Sequence, residues 1–337
     1  REAMHDPGGV RVRLGGASVL VTGGTGSFGR PFCAHLLTLG IDRLVVYSRD
    51  EHKQWEMARS LDDKRMRYFI GDVRDRERLY RAMEDVDVVV HAAAMKHVPV
   101  CESNPFEAVK TNIIGTQNVV DAAIDRGVHR VVALSSDKAA APCNLYGATK
   151  LAAEKIVTSA GNYAGGRDIR FAAVRYGNVL GSRGSVVPLF LEQRDTGRLT
   201  ITDERMTRFT MTVAEAVALV ERAIASMKGG EVFVSRCKSY RVTDVAKAIA
   251  PDAEHVVTGI RPGEQLHETL VSEAEALYTH KTFGGYVIGQ TPDGDGERYS
   301  SDDNDFLTVE EIRSLVDALE PQGAEQRDGG TPPQDAA

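Results

Sequence analysis

The chain has 337 residues, 42% of them hydrophobic and 26% charged, with a formal net charge of −7. That is material for a sizeable core, in a length that suits one large α/β domain with an appended lobe, or two domains. Acidic and basic residues interleave, as in Arg74-Asp75-Arg76-Glu77-Arg78, with no long basic run, so nucleic acid is not an expected partner.

Residues 1–16 read as an N-terminal arm. Val19-Leu20-Val21 is an apolar strand that ends in Thr22-Gly23-Gly24-Thr25-Gly26-Ser27-Phe28-Gly29. A helical pattern follows through Phe32, Leu36, Leu37 and Leu39, and stops at Gly40. Further strands are predicted at 44–47, 66–70, 86–90, 131–134 and 171–174, with helical patterns between most of them. This alternation implies an α/β class: a Rossmann, doubly wound parallel sheet covered on both faces, over residues 17–180. The Gly- and Ser-rich stretch 181–188 reads as a loop. Helices are predicted at 213–227 and 242–249, and a strand at 231–234. Residues 181–212 and 241–320 are read as a smaller C-terminal substrate-binding lobe, with 213–240 returning to the main sheet. Residues 321–337, rich in Gly, Pro, Gln and Asp, read as a disordered tail.

No stretch approaches the roughly 20 apolar residues that span a bilayer, so no membrane partner is expected. No basic segment with an apolar core opens the sequence, so no secretory signal is expected either. Cys33, Cys101, Cys143 and Cys237 form no Cys-x-x-Cys pair and have no histidine cluster beside them. A disulfide framework and a metal site are therefore not expected, and a cytoplasmic location is.

The glycine turn points to a dinucleotide. Gly23, Gly26 and Gly29 are spaced for a tight strand-to-helix turn, which aims a helix N-terminus at a pyrophosphate; Thr25, Ser27 and Phe28 belong to the same turn. The second strand ends in Ser48-Arg49 in place of an acidic residue. A hydroxyl and a guanidinium suit a 2′-phosphate, which favours NADP. The alternative is a surface arginine, with Asp50 bonding the ribose of NAD. Asp72, with Val73 beside it, is placed to reach the adenine. Ala92 and Ala93 would let the backbone approach the cofactor closely.

The fifth strand ends in Ser135-Ser136-Asp137-Lys138, and Tyr146-Gly147-Ala148-Thr149-Lys150 follows. On a helix Tyr146 and Lys150 share a face. A free tyrosine titrates at about 10, and a nearby ammonium together with a nicotinamide cation lowers that value. With Ser136 to polarise the same substrate oxygen, this is a hydride-transfer site. Asp137 and Lys138 add an acid and a base, which a plain dehydrogenase does not need. A sugar dehydratase does: oxidation at C4 acidifies the C5 proton, a base removes it, and an acid protonates the departing C6 hydroxyl.

These stretches, together with Met95-Lys96-His97-Val98-Pro99, Arg175-Tyr176-Gly177-Asn178-Val179, Ser185-Val186-Val187-Pro188, Arg205-Met206-Thr207-Arg208-Phe209 and Arg261-Pro262-Gly263-Glu264, resemble the extended short-chain dehydrogenases/reductases. Within them the chain resembles the inverting UDP-N-acetylglucosamine 4,6-dehydratases of pseudaminic acid biosynthesis, from about Ala17 to about Ala318. The resemblance implies a UDP-sugar substrate. It makes Lys138 the base at C5, which also allows reprotonation from the other face, and Asp137 the acid at C6. Tyr146 and Lys150 become the oxidation pair, which also holds the nicotinamide ribose. It places Lys96, Asn178, Val187 and Arg208 at the substrate, and Arg261 and Glu264 at its nucleotide part. It also implies a homo-oligomer, dimer or hexamer.

Departures from the family pattern fall at Ser136, Cys101, Ser103, Thr210 and Met211, near the expected sugar pocket. Cys101 is catalytic if it faces the sugar's C6 end, and otherwise a small buried hydrophobe. Three other readings stay open: a UDP-sugar 5,6-dehydratase that releases an exocyclic alkene, a UDP-sugar 4-epimerase, and a non-catalytic NADP-binding protein.

Overall fold

The computed structural model describes residues 14–182 and 184–319. The expected tail, and the expected arm apart from residues 14–16, lie outside them. Six strands build the first half: β1 (Ser18–Thr22), β2 (Arg43–Ser48), β3 (Met66–Ile70), β4 (Val88–His91), β5 (Arg130–Leu134) and β6 (Arg170–Arg175). They lie parallel in the order β3-β2-β1-β4-β5-β6. The order reverses between β1 and β4, and a doubly wound sheet opens a ligand crevice at the carboxyl ends of its strands there.

Every residue of β1 is buried, because helices cover both faces. Val19 and Val21 pack with Phe32 and Leu36 of the helix Gly29–Thr38 and with Leu219 and Val220 of the helix Val213–Ser226. Leu20 points the other way, to Val119, Val120 and Ala123 of the helix Gly115–Asp125. This period-two split of one apolar run is what anchors the glycine turn at the strand's end.

The second half adds β7 (Asn178–Val179), β8 (Arg198–Ile201), β9 (Thr207–Met211), β10 (Glu231–Ser235), β11 (Lys238–Arg241), β12 (Glu254–Val257) and β13 (Thr269–Val271), then β14 (Thr279–Thr282), β15 (Gly285–Ile288) and β16 (Tyr299–Ser300). β10 joins β6 in parallel. The hairpin β14–β15 extends the large sheet further, antiparallel to β10. This corrects the expectation that all of 241–320 lies in the lobe. Thr-His-Lys-Thr carries no apolar run and Gly-Tyr-Val-Ile only the short Tyr286-Val287-Ile288, and the long-range pairing of Phe233 with Val287 assigns the hairpin to the large sheet. The expected loop 181–188 is also shortened, since a helix starts at Val186.

The lobe has its own core, made by Phe190, Leu199, Ile201, Val245, Ile249, Ile312 and Val316. A small sheet β11-β9-β7 lies between lobe and main sheet and carries Asn178 and Arg208 toward the crevice. Among the described residues, no helix is long and apolar enough to cross a membrane.

Candidate active site

One cavity of about 1960 Å³ runs from the glycine turn, past the ends of β5 and β6, to the lobe. At one end Gly23 holds φ +67°, and a Cβ there would lie 2.9 Å from the Ala93 nitrogen. Only glycine fits that left-handed turn without strain. The Thr22 hydroxyl accepts the backbone N–H of Ala92 and of Ala93, each at 3.2 Å, so β1 and β4 are tied where a cofactor would pass. His91 buttresses that tie. Its ring lies 2.7 Å from Thr22 Oγ1 and 3.0 Å from Thr116 Oγ1, and burial, aided by Lys150, pushes it down to about 3. The helix that follows opens at Phe28 with no side-chain cap, so its first N–H groups suit an anion.

Thr25, Gly26, Ser27, Phe28 and Gly29 line this end, with Ser48, Arg49, Asp72, Val73, Ala92 and Ala93. Arg49 is well exposed and lies 3.6 Å from Asp72, which also accepts from Nε and Nη2 of Arg74. Asp50 caps the helix Glu51–Leu61, accepting from the Lys53 backbone at 3.0 Å, and pairs with the Lys53 ammonium at 2.9 Å. Lys53 lines the cavity too, a second cation that the sequence reading missed. These residues fit a dinucleotide.

In the middle, Ser136 opens a short 3-10 turn, Asp137–Ala139, packed on the helix Leu145–Ser159. Gly147 makes that packing close: a Cβ on it would lie 2.2 Å from the Lys138 carbonyl oxygen. The Ser136 hydroxyl donates to Asp137 Oδ1 at 2.7 Å, and it also bonds the Tyr146 phenol. The Lys138 ammonium donates to Asp137 Oδ1 at 3.0 Å and pairs with Glu268 Oε1 at 3.1 Å. Burial pulls that ammonium's pKa down, but the two carboxylates outweigh it and the net shift is upward. Burial pushes Tyr146 up to about 12, and the Lys138 charge and the Ser136 hydrogen bond only partly offset it. Burial brings Lys150 down to about 8, with its ammonium on the Leu134 carbonyl. The protein's own charges thus leave the phenol high, and the lowering expected from sequence needs the charge of a bound nicotinamide as well.

At the lobe end, Asn178 Oδ1 lies 3.5 Å from the Lys138 ammonium. Arg208 donates to the Thr207, Gln265 and Leu266 carbonyls and pairs with Glu268 at 3.4 Å. Lys96, Arg261 and Glu264 line the same cavity, and Arg261 Nε lies 3.5 Å from Glu264 Oε1. The 261–265 loop is pinned to the helix Leu145–Ser159: Asn144 caps that helix through Oδ1, 2.8 Å from the Gly147 nitrogen, and donates from Nδ2 to the Gly263 carbonyl at 2.8 Å. Val187 is the exception among the expected residues. It is 1% exposed and packs in the lobe core with Phe190, while Val186 and Leu189 line the cavity. Helix spacing explains this, since 187 and 190 share one face and 186 and 189 the next. Cys101 is buried against Ala108 and Tyr146, and burial raises its thiol. Glu268 was also missed, because nothing near it in sequence marks it.

A Rossmann sheet whose switch point carries a glycine turn, a Ser-Tyr-Lys set and a lobe over the crevice defines the extended short-chain dehydrogenase/reductase class. The chain belongs to the polysaccharide biosynthesis protein family, whose model matches residues 19–289. It is 47% identical over 315 residues to an inverting UDP-N-acetylglucosamine 4,6-dehydratase of Campylobacter jejuni subsp. jejuni serotype O:2, covering 93% of this chain and 90% of the relative. It is 36% identical over 327 residues to a UDP-glucose 4-epimerase of Rickettsia conorii, covering 90% and 96%. Among solved structures, Pen from Bacillus thuringiensis matches with a TM-score of 0.86 and 39% identity, over 91% of this chain and 99% of that one.

Proposed function

We propose that this chain removes water from UDP-N-acetylglucosamine, using NADP, and gives a UDP-4-keto-6-deoxy sugar inverted at C5. The observation that carries the reading is the Lys138–Asp137 contact of 3.0 Å, placed in one cavity with Tyr146 and the glycine turn. An epimerase needs the tyrosine and lysine but no such acid–base pair. The 47% identical relative, named an inverting dehydratase, supports the same choice.

The glycine turn, Ser48, Arg49, Ala92 and Ala93 would hold the dinucleotide, which would supply the hydride acceptor for C4 and the hydride donor for C6. Tyr146 accepts the C4 hydroxyl proton, aided by Ser136 and by the Lys150 charge. The next step needs a neutral amine and a protonated carboxyl together. A proton crossing from the Lys138 ammonium to Asp137 makes both at once, with no change in net charge. Lys138 then takes the C5 proton as the C5–C6 double bond forms. The C6–oxygen bond breaks, and Asp137 gives its proton to the departing oxygen, which leaves as water. Once C6 carries the returned hydride, the Lys138 ammonium gives a proton back to C5 on the opposite face, which inverts the centre and restores the neutral amine. Lys96, Arg261 and Glu264 are the groups we assign to the UDP part, and Asn178 and Arg208 to the sugar side.

The choice of NADP is supported by Ser48, Arg49 and Lys53 at the ribose end, and by Asp50 being committed to its helix cap. Exposed Val100, Phe106 and Ile114, on neighbouring helical turns, support a homo-oligomer. The four free thiols suit a reducing cytoplasm.

Mass spectrometry of UDP-N-acetylglucosamine incubated with the enzyme in heavy water tests the proposal. Loss of one water with solvent deuterium at C5 is expected, and Lys138→Ala should abolish both. An epimer of unchanged mass, or an alkene lacking the C6 methyl, would overturn it.

A further inference from the structure

We propose that Glu268 is a positioning residue of this site: it holds the Lys138 amine at the sugar end of the cavity and ties Arg208 beside it. The inference rests on the dehydratase reading and deepens it. Glu268 comes just before β13, and its backbone is clamped by β16. Its N–H donates to Ser301 Oγ at 2.9 Å, and its carbonyl accepts the Ser301 N–H at 2.9 Å and the Ser300 hydroxyl at 3.2 Å. The carboxylate therefore starts from a fixed point, and its side chain is only 4% exposed.

Oε1 reaches both cations, 3.1 Å from Lys138 Nζ and 3.4 Å from Arg208 Nε. The Lys138 amine thus has three acceptors around it: Asp137 Oδ1 at 3.0 Å, Glu268 Oε1, and Asn178 Oδ1 at 3.5 Å. An ammonium has three N–H bonds, so this tripod fixes its direction as well as its place. A lysine stem is long and flexible, and a base that must meet one C–H bond gains most from being held beforehand. A plain dehydrogenase or an epimerase has no use for such a holder.

Charge makes the second part of the argument. Lys138 and Arg208 face Asp137 and Glu268, two cations against two carboxylates. Tyr146 and Tyr240 are the other titratable groups whose charge couples to Lys138. With Glu268 in place, a proton moves between Lys138 and Asp137 while Arg208 stays neutralised. Without it, two cations share one carboxylate, and the proton is lost from Lys138 more readily. Glu268 Oε2 and Asp137 Oδ2 are also buried without a protein partner, and both residues line the cavity. They leave two acceptor positions beside the amine for donors on the sugar.

Glu268→Gln keeps the shape and one acceptor while removing the charge. In a single turnover, C4 oxidation should proceed and reduced nicotinamide should accumulate. Deuterium uptake at C5 and water loss should slow on the order of 100-fold, the scale of a misplaced reacting group, with little change in KM. The alkaline limb of kcat should move to lower pH, and Glu268→Asp should recover part of the rate. An unchanged C5 exchange rate would overturn the assignment. So would equal loss of oxidation and exchange with a lower Tm, since that marks a purely structural carboxylate. A second readout needs no substrate: reductive methylation of Lys138, followed by peptide mass spectrometry across pH. It should begin at lower pH in Glu268→Gln than in the parent, and coincident curves would overturn the proposal. If the parent enzyme itself releases no water, the dehydratase reading fails, and the methylation curves still decide the role of Glu268.

Discussion

Gly147→Ala tests the geometry with a single methyl group. Its Cβ would sit 2.2 Å from the Lys138 carbonyl oxygen and 3.1 Å from Pro142 Cβ. The first gap falls about 1.2 Å short of an ordinary contact, and a carbonyl oxygen in a hydrogen-bonded turn has no side chain to swing away. The Asp137–Ala139 turn and the helix Leu145–Ser159 must therefore separate by about that distance. Stability should suffer little: alanine gains about 1 kcal/mol over glycine in a helix, against about 1–3 kcal/mol for overpacking. Catalysis should suffer more, because the separation carries Tyr146 away from Lys138 and Asp137. A 1 Å displacement of reacting groups costs on the order of 100-fold in rate. The assay is kcat for 4-keto sugar formation, alongside Tm by calorimetry and cofactor affinity by fluorescence. We expect kcat to collapse while Tm and cofactor binding stay close to the parent. A Gly147→Ala enzyme with parental kcat would refute the idea that this close approach sets the acid–base geometry.

Other perturbations read other parts of the molecule. His91 is buried and neutral, with its pKa pushed from 6.5 down to about 3, so the unfolded chain binds the proton first as pH falls. Its stabilising contribution is complete above pH 6.5 and is lost on acidification toward 3; from pH 7 to 5 it should cost about 2 kcal/mol, measured by urea unfolding. His91→Asn should remove that slope, and an unchanged slope would count against the buried neutral ring. Arg175 is fully buried between Glu154, at 2.6 Å, and Glu275, at 2.9 Å. Glu154→Ala strips one partner from a buried cation and should destabilise by about 3–5 kcal/mol; a loss below 1 kcal/mol would show that Glu275 alone suffices. Arg49→Ala should raise the Kd for NADP by about tenfold or more, the worth of one charge-assisted hydrogen bond, and leave NAD binding nearly unchanged. Equal effects on both dinucleotides would remove the 2′-phosphate argument.

The expected strands of the first half of the sheet reappear within a residue or two, since each is a short, largely apolar stretch and helical segments separate them. The glycine turn was legible for a similar reason: a turn is a local object, and its glycines lie three residues apart within one short stretch. Tyr146 and Lys150 could be paired from spacing alone because helix geometry fixes their common face. Val187 shows the limit of that logic. A short helix in a loop-like stretch offers two apolar faces, and only the lobe core decides which one turns inward.

Sequence by itself thus determined the parallel sheet, the dinucleotide turn, and an acid and a base placed next to a tyrosine. These are short-range matters, settled by steric turn rules and by residue periods of two and 3.6. Tertiary structure alone decided that the β14–β15 hairpin extends the sheet beyond β10, and that the 261–265 loop is pinned to Asn144. It also decided that Glu268, more than a hundred residues beyond Lys138, comes within 3.1 Å of its amine. Such contacts depend on how the lobe packs over the crevice, and no local pattern records the meeting of distant segments.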